Sequence, residues 1–92
     1  MRLTKYDMAD NIKTRDDTLL YLQAAFEGGN PEDIINVLGA LARSEGMTKL
    51  AAEIGVGRES LYKSLSKEGN PSFATIFKII KSLGLSLKVV YS

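Results

Sequence analysis

Apolar residues recur along the chain in short helical rows, each cut by glycine. Leu19, Leu22 and Phe26 repeat at spacings of three and four, which stack side chains on one face of an α-helix. Ahead of them, Thr14 and Asp17 resemble a capping box with Asp in place of the usual Glu. Gly28 and Gly29 mark the stop. A second row, Ile34, Leu38, Leu41 and Ala42, follows Asn30-Pro31-Glu32-Asp33. That start has an amide acceptor, a residue with no N–H to leave unpaired, and two acids facing the positive end of the dipole. Gly46 ends this helix. The spacing predicts a third helix from Thr48 to Gly55 and a fourth from about Arg58 to Lys67, ending at Gly69. Asn70-Pro71-Ser72 opens a fifth, with Phe73, Ile76, Phe77, Ile80 and Leu83 on its expected inner face and Gly84 at its close.

Beyond Gly84 the period changes. From Leu85 to Tyr91 apolar and polar residues alternate, and β-branched and aromatic types appear, which predicts a short strand over 85–91. Leu3 to Asp7 is a second extended candidate. The expected fold class is all-α: one domain over residues 1–92, a compact bundle of about five short helices with a short C-terminal β-strand.

The segment Met47 to Ser66 carries the most specific pattern. A small residue (Ala51), glycine four later (Gly55) and an apolar residue six beyond that (Leu61) suit two short helices meeting at a sharp angle. Leu50 and Ile54 face inward, Ala51 lets the helices approach, Gly55 supplies a positive φ, Val56 plugs the turn, and Leu61 and Leu65 anchor the second helix. Arg58, Glu59, Tyr62, Lys63 and Ser66 are left on the outer face. This is the pattern of a helix-turn-helix. The DNA major groove, about 12 Å wide, admits one helix, whose N-terminal side chains reach base edges while the preceding helix crosses the backbone. The alternative is an ordinary helical hairpin whose outward charges are merely solvated.

The expected DNA-contacting residues are Thr48, Lys49, Arg58, Glu59, Ser60, Tyr62, Lys63 and Lys67. Thr48 is placed as the cap of the first motif helix, whose free amides can also hold a phosphate. Arg58 suits bidentate readout of guanine, or is a solvated cation at a helix start. Glu59 can accept from cytosine N4, or simply complement the helix dipole. Tyr62 either covers a ligand or packs on a neighbouring helix. Lys63 and Lys67 suit phosphates, although Glu59 and Lys63 are also spaced for an i,i+4 pair.

Composition narrows the chemistry. The chain has no cysteine, which excludes disulfides and thiolate metal sites, and no histidine, which removes the commonest general base. No enzyme activity, metal or other cofactor is expected. The net charge is only +1. It is unevenly spread: residues 1–46 carry five basic and eight acidic side chains, net −3, and residues 47–92 seven and three, net +4. The second half is thus the one suited to an anion. No apolar run approaches the roughly 18–20 residues that span a bilayer, and Met1 to Asp10 lacks the apolar core of a secretion signal. The expected location is the cytoplasm.

At these residues the chain resembles the Cro/lambda-repressor-like helix-turn-helix superfamily. More narrowly, it resembles the addiction module antidote proteins, HigA-like antitoxins found beside RelE-type toxins. The narrower resemblance lies in Tyr6-Asp7-Met8-Ala9-Asp10, Gly46 to Ala51, Leu61 to Ser66, Asn70 to Phe73 and Ile79 to Leu85. It implies a lambda-repressor-like fold and a homodimer that binds its own promoter and neutralises a RelE/HigB-like toxin. Gly57 departs from the pattern, since many relatives place Ser or Thr at that cap; glycine brings no side chain to the phosphate. The expected dimer contact is the tail, through Leu85, Leu87, Val89 and Tyr91, pairing with its twin or with Leu3 to Asp7. The acidic first half would suit a basic toxin. A free-standing prophage-type repressor and a protein-interaction module without DNA binding are the alternative readings.

Overall fold

Local hydrogen bonds set most of the helix boundaries in the computed structural model, which describes residues 15–66 and 69–91. The described residues form five helices and no strand: α1 (Arg15–Gly28), α2 (Pro31–Glu45), α3 (Met47–Ile54), α4 (Arg58–Ser64) and α5 (Phe73–Ser82). Asn30 caps α2, its Oδ1 accepting from the Glu32 amide at 2.9 Å, with Pro31 in the first turn. Ser72 caps α5, its Oγ accepting from the Thr75 amide at 3.1 Å. Each satisfies an amide that the helix cannot pair internally.

The start of α3 differs from expectation. The helix begins at Met47, its cap is Gly46, and no side chain caps it. Thr48 is therefore inside the first turn. Gly46 serves two helices: its amide donates to Ala42 at 2.9 Å, and its carbonyl accepts from Leu50 at 3.0 Å. The junction is one residue long, and Met47 enters the core at once, 5% exposed. Helix α4 also ends early, at Ser64. A Cβ at Gly69 would collide with the carbonyl oxygens of Lys63 and Ser64, so the chain crosses close over the helix end. Lys67, Thr14 and the segment Leu3 to Asp7 lie outside the described residues.

The core gathers around α2, where every residue from Val37 to Ala42 is buried. Leu38 and Leu41 meet Leu61, Ile79 and Ile80 in a single apolar cluster; these are the largest fully buried side chains. Each contributes about 1.5–3 kcal/mol by leaving water. Helix α1 packs on α2, α2 on α3, and α3 on both α4 and α5. Gly39 lets α2 approach the end of α4: a Cβ there would lie 3.2 Å from the Leu65 carbonyl oxygen. No helix of the described residues is long and apolar enough to cross a membrane.

Two apolar expectations are corrected. The inner face of α5 is Ile76, Ile79, Ile80 and Leu83, whereas Phe73 is 70% and Phe77 40% exposed. The two aromatic rings stack on each other outside, centroids 6.1 Å apart. The strand expected over 85–91 is also absent from the described residues. The alternation serves another purpose: Leu85 and Leu87 pack against the core while Ser86 and Lys88 point outward. No described segment lies alongside to complete a ladder, and Val89 and Tyr91 project into solvent.

Candidate nucleic-acid interface

The turn between α3 and α4 is closed by backbone alone. Gly55 adopts φ +79°, which lets the amides of Gly55 and Val56 both donate to the Ala51 carbonyl at 3.0 Å. Val56 is 38% exposed and does not plug the turn, since those two bonds already shut it. Gly57, extended at φ −71° and ψ 147°, then starts α4 without a side-chain cap.

Behind this turn the anchors lie where their spacing puts them: Leu50, Ala51, Ile54, Leu61 and Leu65 are all buried. Burying Leu61 and Leu65 fixes the rotation of α4. Lys63, flanked by Glu59 and Ser60, lies opposite these anchors, while Tyr62 and Arg58 lie to one side, Arg58 a turn ahead of Leu61 at the helix start; all five are exposed. Ser66 is half-buried, its hydroxyl donating to the Lys63 carbonyl at 2.7 Å. Thr48 and Lys49 are exposed in the first turn of α3. Seven of the eight proposed contact residues are thus on the described surface, and Lys67 is outside it.

One contact was not anticipated. The Arg58 guanidinium lies over the Tyr62 ring, 5.4 Å from its centroid. Arg58 and Tyr62 are four apart, so the helix stacks one above the other, and the ring face attracts the cation. The only signal in the sequence is that spacing. The ring holds the arginine along the helix surface and reduces the rotamers it must give up on binding. Glu59 sits in the first turn of α4, where its charge complements the helix dipole.

Beside the Glu59 carboxylate, the face therefore offers a planar guanidinium, an ammonium, a phenol and hydroxyls, set on a helix with an apolar anchor behind. These groups donate to anions and to base edges. Among the described residues no group of three or more His, Cys, Asp or Glu is placed to hold a metal ion.

A family model described as "Probable addiction module antidote protein" matches residues 2–91. A protein of Haemophilus influenzae, described only as uncharacterised, is 38% identical over 91 residues, covering 99% of this chain and 94% of its own length. No solved structure matches the chain.

Proposed function

The chain belongs to the family of probable addiction module antidote proteins, and we propose that it acts as a sequence-specific DNA-binding antitoxin that represses its own operon. The family implies a toxin partner and a regulatory role. On our reading the partner is a RelE/HigB-like toxin, and α3, the turn and α4 are a helix-turn-helix of the lambda-repressor kind.

The observation that carries the DNA reading is the solvent-facing row of α4, with Arg58 held over Tyr62 and Leu61 and Leu65 buried behind it. In this account α4 lies in the major groove. Arg58, one residue after the cap, reaches guanine O6 and N7 with two donors. Tyr62 keeps Arg58 extended and covers apolar base edge beside it. Lys63 and Lys67 meet phosphates. At the start of α3, Thr48 and Lys49 join the uncapped amides at a second phosphate. Ser60 lies on the same exposed face and is within the same footprint. Glu59 supports the helix and can accept from cytosine.

Repressors of this design read two half-sites about 34 Å apart, which needs a two-fold dimer. We place that contact at the tail, where Leu85 and Leu87 start an alternating segment and Val89 and Tyr91 stand clear of the fold.

Binding of the full chain to a duplex from upstream of its own gene, against a scrambled duplex, tests the reading. The upstream duplex should bind more tightly at every salt concentration, with log affinity falling linearly in log salt. Equal, weak binding to both would leave a protein-interaction module as the better description.

A further inference from the structure

The outward row of α5 is unlike that of a solvated helix. A surface helix with one buried stripe is normally polar elsewhere. Here Phe73, Phe77 and Lys81 follow one another at four-residue spacing, which sets them one above the next. The Phe73 and Phe77 rings lie with centroids 6.1 Å apart and an interplanar angle of 30°. The Lys81 ammonium lies over the Phe77 ring, 6.0 Å from its centroid. Phe77 is thus held between a ring and a cation. Phe73, 70% exposed, ends the row with most of its ring surface open to water. Lys78 is exposed one turn before Lys81.

The charge beside these rings is of one sign. The charged side chains of α5 are both lysines, and residues 69–91 contain no Asp or Glu. Toward α1, the groove at Ile80 has one charge among its described lining residues, Lys88. Toward α3, Glu45 and Glu53 border Ser82, which lies about 180° around the helix from Phe73.

We propose that the Phe73–Phe77–Lys81 row binds single-stranded nucleic acid, a base continuing the ring stack at Phe73 while phosphates meet Lys78 and Lys81. The lysines select an anion, and the open rings select one that carries flat apolar groups beside its charge. A single strand has both, bases with free faces and a phosphate for each. A duplex keeps its base faces stacked inside. An acidic protein helix docks by laying aliphatic side chains in a groove, and this row is a projecting ridge. A bilayer would draw the Lys81 ammonium, seated over Phe77, toward hydrocarbon. A second copy meeting the row through a two-fold would set the lysines against their own like. The inference does not rest on the operator reading, which concerns α4.

The probe is an oligothymidylate of about eight nucleotides, titrated into the ¹⁵N-labelled full chain. The amides from Phe73 to Ser82 should shift along one saturable curve that weakens as salt rises. An abasic strand of the same length, with phosphates but no bases, should bind about tenfold more weakly. Phe73→Leu keeps an apolar side chain at an exposed position, so it should lose about tenfold in affinity with an unchanged melting temperature. Phe73→Trp should bind at least as well as wild type. Lys78→Gln should lower the salt slope by about 0.7, the loss of one phosphate contact to a single strand. Equal binding of the abasic strand would mean that charge alone is at work, and shifts confined to α4 would mean that the strand uses the duplex face; either overturns the proposal. So would tighter binding of an acidic amphipathic peptide or of phosphatidylglycerol vesicles, or self-association of the free protein that Phe73→Leu abolishes, since each names another occupant.

Discussion

Gly39 sets how closely α2 approaches the end of the candidate recognition helix, and substituting it separates two opposing effects. Alanine there gains about 1 kcal/mol of helix propensity over glycine. Its Cβ would meet the Leu65 carbonyl oxygen at 3.2 Å, Arg43 Nη1 at 3.4 Å and Leu65 Cβ at 3.8 Å. Arg43 is exposed and can move aside; the Leu65 backbone must yield a few tenths of an ångström. The two terms nearly cancel, so Gly39→Ala should change stability by less than about 1 kcal/mol. Gly39→Leu adds three more heavy atoms along the same line, into a position flanked by buried Leu38 and Ala40. Overpacking of that kind costs about 1–3 kcal/mol, and the propensity gain is similar to alanine's, so the net is a loss. At about 4–8 °C per kcal/mol for a domain of this size, the leucine variant should melt several degrees below the alanine one. Thermal melts followed by circular dichroism measure both. A leucine variant as stable as the alanine variant would mean that α2 and Leu65 do not meet there.

At the cap of α4, Gly57→Ser should stabilise the fold by about 0.4–1 kcal/mol. The backbone there suits any residue, and the nearest atom to a new Cβ is Ser60 Oγ at 3.8 Å; a lower melting temperature would contradict that geometry. Arg58→Ala should cost about 1–3 kcal/mol on the operator and blur preference at one base pair, read from competition binding with single-base variants. Tyr62→Phe keeps the ring under Arg58 and should keep that preference, while Tyr62→Ala should lose part of it; identical behaviour of the two would leave the stacking without a role. Lys63→Ala should weaken operator and scrambled duplex alike and lower the salt slope by about one, and an effect on the operator alone would move Lys63 from phosphate to base.

The parts of the fold legible in the sequence are those fixed by neighbours along the chain. Asn30 and Ser72 cap because their oxygens reach amides two and three residues on. Gly55 turns the chain because no side chain opposes its φ of +79°. Which side of a helix meets the core is harder. In α5 the rows Phe73–Ile76–Phe77–Ile80–Leu83 and Ile76–Ile79–Ile80–Leu83 overlap, and the larger aromatic side chains favour the wrong one. In α1, Leu19 and Phe26 have core spacing yet stand half open because α2 takes the Leu22 and Ala25 side. Gly39 gives no local sign at all, since its neighbour Leu65 is brought in by tertiary packing. The strand expected over 85–91 is misleading for a related reason: Leu85 and Leu87 alternate inward, as a strand's residues do, but against the core rather than in a sheet. At the candidate interface, the inner and outer residues of α4 follow from spacing, while the hold of Tyr62 on Arg58 needs the rotamers.

The central claim is that the outer face of α4 meets DNA, and amide shift mapping of the ¹⁵N-labelled full chain with its own upstream duplex tests it most directly. The account predicts the largest shifts at Arg58, Glu59, Ser60, Tyr62 and Lys63, with a second set at Thr48 and Lys49, and little change along α1. Shifts concentrated on α1 or on the Phe73–Phe77 side of α5, with α4 unmoved, would contradict it.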